Sequence, residues 1–270
     1  MTTRTLVGMV IVVTRPREQS GELAMMLDAR GGHALLAPAI ELSPAPPGEL
    51  EAAVRDLAAG GFDWVLLTSR AGVDALLAQA GAIGATPQEA LQARVAAIGK
   101  GTAEALRARG VEPDLVPETF TTFALGRALP RGTGRVLLAR ADIAPGELEG
   151  AVASKGWTPV RVDAYHTRLA HRLPAEVARA LQAGEVDAVT FTSVSTVHGF
   201  LRGLEGSGVE LASWPTIACI GPVTARAVTD AGLEVAGVAS PHTIEGLVEA
   251  LEHAVAAHGE RSRLSKKEHR

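Results

Sequence analysis

The sequence holds a single cysteine, Cys219, so no internal disulfide is available. It lies in the apolar run Thr216 to Ile220, where a lone thiol reads as a small buried hydrophobe. A chain without disulfides fits a reducing compartment. Long apolar runs are also missing, and nothing approaches the roughly 18–20 apolar residues that span a bilayer. The run Leu6 to Val13 follows Arg4 but leads into Thr14-Arg15-Pro16 with no small-residue cleavage site. It therefore reads as a first strand, not a signal segment, and a cytoplasmic location with no membrane partner is expected. An excess of positive charge is missing as well. The formal charge is −4, and the last twelve residues hold five Lys and Arg against two Glu, so the remainder is more acidic still. Such a body argues against a general nucleic-acid surface without excluding a local cationic cleft.

Several chemical signatures are absent. Gly99-Lys100-Gly101-Thr102 resembles the end of a P-loop, but the glycine required five positions before Gly99 is Arg94. No G-x-G-x-x-G follows the first strand, so neither NAD nor ATP is expected. There is no G-x-S-x-G elbow, and Ser193 has no evident His-Asp partners, which argues against a covalent hydrolase. His166 and His171 are five apart in a connector, and His253 and His258 are five apart on a helix, which is not one face. No metal site is expected.

What is present is alternation and repetition. The 270 residues are 47% apolar, enough for two domains with sizeable cores. Strands are predicted at about 7–13, 33–40, 63–68, 94–98, 114–116, 134–139, 157–165, 186–191, 216–220 and 235–238. Helices lie between most of them, which predicts an α/β fold with parallel sheets. Pro38 marks the second strand as an edge or connector. Ser43 to Gly48 is a breaker cluster and a candidate hinge. The last helix is predicted to end near Ala257, with a basic disordered tail over 259–270.

The most informative stretch is Val186 to Phe200. An apolar β-branched run breaks at Thr192-Ser193 and continues with Val194, Val197 and Leu201 at helical spacing. The same pattern occurs at Phe62 to Val73, with Thr68 and Thr192 124 residues apart. Gly99 and Gly221, Thr102 and Thr224, and Thr121 and Thr243 are each 122 apart. The chain thus divides into 6–40, 48–130, 134–165 and 174–258. Sequence leaves two pairings open: first with second and third with fourth, or second with third and first with fourth. In the latter, 35–42 and 160–167 cross together as a two-stranded hinge.

Ligands of doubly wound sheets bind at the carboxyl ends of strands. Thr68-Ser69, Gly99 to Thr102, Thr192-Ser193 and Gly221-Pro222 to Thr224 all fall there, each with hydroxyls and helix N-terminal amides suited to carboxylates or phosphates. Any one of them taken alone reads more readily as a plain N-cap. Four at matched positions predict an anion-binding cleft between the domains. Arg15, Arg70, Lys100 and Arg140 stand beside such turns and strengthen that expectation. Tyr165, the one tyrosine, falls where a strand is predicted to end, and its phenol can exchange a proton with a leaving oxygen. A non-catalytic two-lobed protein closing on an anionic small molecule is the alternative.

These residues together resemble the uroporphyrinogen-III synthase family over about residues 10–257. The carriers are Val13-Thr14-Arg15-Pro16, Phe62 to Ser69, Ala96 to Gly99, Tyr165-His166-Thr167, Phe191-Thr192-Ser193 and, most specific, Ile220 to Ala227. The resemblance implies two flavodoxin-like domains joined by a two-stranded β-ladder, the first from 1–38 plus 170–258 and the second from 42–163. It implies a cofactor-free enzyme that closes hydroxymethylbilane, a linear polycarboxylate tetrapyrrole, to uroporphyrinogen III with loss of water and inversion of ring D. Tyr165 matches the tyrosine implicated in loss of the hydroxyl. Ser193, Thr102 and Thr224 match cleft hydroxyls, and amides at Thr192-Ser193 and Gly221 to Thr224 would hold propionates and acetates. A monomer, with transient hand-over from hydroxymethylbilane synthase, is expected.

Overall fold

The structure is a computed structural model that describes residues 5–46 and 48–268, with side chains to 257. From the amino end come β1 (Val10–Val13), α1 (Gly21–Ala29), β2 (His33–Leu36) and β3 (Ile40–Pro44). Next are α2 (Glu49–Ala58), β4 (Trp64–Leu67), α3 (Arg70–Ala82), α4 (Pro87–Ala90), β5 (Arg94–Ala97), α5 (Lys100–Arg107), α6 (Thr122–Ala128), β6 (Arg135–Ala141), α7 (Glu147–Ser154) and β7 (Thr158–Leu169). The chain continues through α8 (Ala175–Gln182), β8 (Ala188–Phe191), α9 (Val194–Ser207), β9 (Thr216–Cys219), α10 (Pro222–Asp230), β10 (Gly237–Val238) and α11 (Ile244–Glu268).

The fold is α/β with two sheets. One runs β10-β9-β8-β1-β2, the other β3-β7-β6-β4-β5. All pairings within the first sheet, and those of β4, β5, β6 and β7 in the second, are parallel. The chain separates into two compact units at Glu41/Leu42 and Thr167/Arg168, the outer segments forming one and the middle segment the other.

Each sheet is buried on both faces, which is why its strands read as unbroken apolar runs. In β4, Val65 and Leu67 join one core and Trp64 and Leu66 the other. In β1, Val12 faces one core while Ile11 and Val13 face the opposite one. Cys219 is buried in the same core as Val12, and desolvation pushes its thiol up to about 12. Among the described residues no helix is long and apolar enough to cross a membrane.

Several boundaries differ from expectation, and the strand predicted at 114–116 is only a single bridge between Leu115 and Ala96. The predicted strand 33–40 is two strands in different sheets, split around Pro38. Ala37 and Ala39 still donate to Val13 and Thr14, and Pro38, with no N–H, falls on the side where no donor is needed. Ser43 and Pro44 end β3, so the breaker cluster is shorter than expected. Helix α11 runs on to Glu268 through most of the predicted disordered tail.

Candidate functional site

In the middle unit, β4 and β6 are neighbours while the strands that follow them, β5 and β7, lie on opposite sides. The carboxyl ends of β4 and β6 therefore flank a topological switch point, the usual ligand position in such sheets. Thr68 and Ser69 follow β4 there. Ser69 is extended and caps α3, its Oγ accepting from Gly72 N–H at 3.0 Å. The Tyr165 hydroxyl lies 2.9 Å from the same Oγ.

Tyr165 does not end its strand, as predicted, but lies inside β7, which continues to Leu169. What aims it is a bulge. Arg140 is opposite Asp163, but Ala141 is opposite Tyr165, so one residue of β7 is skipped. Burial raises the phenol above its ordinary value; the Ser69 hydrogen bond and the Arg140 charge oppose this, and Asp142 reinforces it. The group is a neutral proton donor across the physiological range.

The turn after β6 is tied down. Asp142 N–H donates to Tyr165 O (3.1 Å), and Asp142 Oδ1 accepts from Thr167 N–H (2.9 Å). Asp142 Oδ2 is 3.5 Å from His166 Nδ1. Arg161 donates to the carbonyls of Ala141, Asp142 and Ala144 at 2.8–3.0 Å.

Arg140, expected to meet a ligand, is turned inward instead. Its side chain is 2% exposed, and Nη1 reaches Pro145 O and both oxygens of Glu149 at 2.8–2.9 Å. The charge is consumed by the fold because Glu149, on α7, is itself largely covered. Arg140→Met is expected to destabilise the protein by about 3 kcal/mol, since it leaves the largely covered Glu149 with only the longer contact to Arg161. A denaturation midpoint unchanged from the parent would show that the pair carries no weight.

The other predicted residues of this unit converge at the next turn. Arg70 Nε donates to Gly101 O (3.2 Å) and its Nη2 is 3.4 Å from Glu104. Lys100 is exposed at the start of α5, whereas Thr102 is buried. Gly99 is required by a close approach: an added Cβ would lie 2.9 Å from Phe120 Cγ.

The outer unit repeats the design. Its switch point lies between β1 and β8, fastened by Thr14 Oγ1 to Thr190 O (2.7 Å) and Thr190 Oγ1 to Val12 O (3.1 Å). Ser193 caps α9 as Ser69 caps α3, in a reciprocal box with Thr196. Thr192 precedes it, half-buried. His242 overlies Gly221 as Phe120 overlies Gly99, also 122 residues on. Pro222 opens α10, and Thr224 is buried within it. Arg15 is buried, with Nη2 on Gln19 Oε1 (3.3 Å). The candidate residues thus form two sets, one in each unit. Among the described residues no group of three or more His, Cys, Asp or Glu is placed to hold a metal ion.

The family model for uroporphyrinogen-III synthase HemD matches residues 21–249. The chain belongs to the uroporphyrinogen-III synthase family. This is a family of enzymes of tetrapyrrole biosynthesis, which favours catalysis over a pure binding role. The porphyrin biosynthesis protein HemD of Ruminiclostridium josui is 31% identical over 91% of this chain, which spans 48% of that relative's length. The uroporphyrinogen-III synthase of Synechococcus elongatus is 29% identical, with 93% of this chain and 97% of the relative covered. A mutant uroporphyrinogen III synthase of Thermus thermophilus is similar in structure, with a TM-score of 0.68 at 25% identity, covering 92% of this chain and 99% of that one. Asp142, Arg161 and Glu149 were not legible in the sequence as neighbours of the Tyr165–Ser69 pair. Their roles depend on strand register, and no local motif marks them.

Proposed function

We propose that the chain closes hydroxymethylbilane to uroporphyrinogen III, releasing water and inverting ring D. The observation that carries this reading is the pair Tyr165 and Ser69, a half-buried neutral phenol hydrogen-bonded to a helix cap at the switch point. The phenol would protonate the terminal hydroxyl as the pyrrole nitrogen lone pair expels it as water. The substituted carbon of ring D then attacks the resulting cation to give a spiro intermediate; its older bond to the ring C methylene breaks, and the free α carbon of ring D captures that methylene cation, which inverts the ring and leaves that carbon with the proton to be lost. The proton released when the pyrrole system is restored returns to the phenolate. None of these steps calls for a cofactor, and positioning with exclusion of water supplies the rest.

The N-terminal amides at Thr68-Ser69, Gly99 to Thr102, Thr192-Ser193 and Gly221-Pro222 to Thr224 are assigned to substrate carboxylates, with Arg15, Arg70 and Lys100 as cationic support. Each unit is read as flavodoxin-like, because the outer sheet has the order 2-1-3-4-5 and the middle one the same first four. The limits 1–38 plus 170–258 and 42–163, with β3 and β7 as the joining ladder, belong to this reading. So do a monomeric, cytoplasmic enzyme and hand-over from hydroxymethylbilane synthase.

The test is the product isomer ratio. Fresh hydroxymethylbilane closes unaided to the type I isomer. With the protein, type III is expected to dominate, and with boiled protein it is not. Type I alone in both would move the non-catalytic binding reading to the front.

A further inference from the structure

We infer that Arg161 is the positioning residue of the Tyr165 site: its guanidinium clamps the turn from Ala141 to Ala144, and that turn holds β7 where the Tyr165 hydroxyl meets Ser69. The functional half of this inference rests on the reading above.

The clamp is built from one side chain and three carbonyls. Arg161 Nη2 donates to Ala141 O (3.0 Å) and Asp142 O (2.9 Å), and Nη1 to Ala144 O (2.8 Å). A planar guanidinium spreads its donors over a rigid fork wide enough for three separate carbonyls, whereas a lysine offers its three donors from a single rotating nitrogen. These carbonyls follow a strand end and need partners when covered. Two carboxylates steady the fork, Glu149 at 3.5 Å and Asp163 at 3.7 Å. Arg140 reaches the next carbonyl, Pro145 O, and Glu149, so the two arginines divide the segment between them.

The clamped turn in turn grips β7 at Tyr165 and just beyond it. Asp142 N–H holds Tyr165 O, and Asp142 Oδ1 holds Thr167 N–H. The bulge at Arg140/Ala141 falls between clamp and grip. Bulges between parallel strands are rare and tend to re-aim a side chain beside a site. Here the bulge sends the Tyr165 hydroxyl to a cap 96 residues away in sequence.

The test uses the fact that Tyr165 is the only tyrosine in the chain. Its alkaline absorbance transition is therefore read without interference from another phenol. Arg161→Met should lower kcat by about 10- to 100-fold with KM changed less than about twofold, because a misplacement near 1 Å costs that much. The phenol's transition should also shift down toward that of free tyrosine as water reaches it. Wild-type kcat with a wild-type transition would overturn the inference. If Arg161→Met lacks a folded circular dichroism spectrum, Arg161→Lys keeps the stem and charge but loses the fork. It should shift both readouts in the same direction, and wild-type behaviour there is equally fatal. A parent protein that forms only type I product sinks the proposed activity instead, while the absorbance titration still decides the clamp.

Discussion

Tyr165→Phe is expected to slow turnover about 100-fold, with KM changed by less than about twofold, because general-acid assistance is lost while the binding surface is kept. The phenyl ring still fills the space of the phenol. What disappears is the hydroxyl 2.9 Å from Ser69 Oγ, the group proposed above as the proton donor. The pH dependence has a definite sign. The Tyr165 pKa is raised, chiefly by burial, so the acid form persists through neutrality. Any loss of rate from ionisation of Tyr165 begins above the ordinary tyrosine value of about 10. The same sign governs stability. The unfolded chain ionises its phenol first, so the contribution of Tyr165 is complete below about pH 10 and is lost as pH rises through the raised value. Steady-state kinetics with trapped product isomers, taken across pH, check this. An undiminished kcat in Tyr165→Phe would remove the phenol from the chemistry and leave positioning alone.

The second large effect is on stability. Gly199→Ala should cost about 3 kcal/mol, the scale of overpacking against an unyielding neighbour. An added Cβ at Gly199 would run into the carbonyl oxygen of Ala39, which is backbone and already accepts Ala170 N–H. Gly206, on the same face of α9, meets the His171 carbonyl in the same way, and Gly203 between them is covered by the Leu173 side chain. The helix is bare on one side so that two chain segments can lie across it. Gly150 is the internal control. Nothing lies within 4 Å of a Cβ built there, so Gly150→Ala in α7 should stabilise by about 0.5–1 kcal/mol. Denaturant midpoints at constant slope decide the matter. Equal midpoints for Gly199→Ala and the parent would show that α9 has room to move.

Strand–turn–helix units were legible because period-2 and period-3.6 patterns meet at a polar turn, and the 122- and 124-residue spacings showed the duplication. The caps at Ser69 and Ser193 were legible for the same reason. The capping box at Thr86-Pro87-Gln88-Glu89 was also legible, yet α4 was missed, although the motif stands plainly in the sequence. The Tyr165–Ser69 pair was not legible. It depends on the register of three strands and on one skipped residue in β7. Arg140 misled for a related reason: a strand-end cation reads as ligand-facing until a carboxylate nine residues on is seen to cover it.

The order of strands in the outer unit also fixes when it can be completed during synthesis. β1 is central in its sheet, with β2 on one side and β8 on the other. β2 follows almost at once, but Ile11 pairs with Ala188. Between these two partners the ribosome must make the whole middle unit, Leu42 to Thr167, and every strand of its sheet, β3 to β7. The middle unit therefore has everything it needs while β1 still presents a bare apolar edge. Such an edge is a hazard for as long as it is open. The nascent chain carries that hazard through more than half of its synthesis, until β8 emerges and closes the sheet.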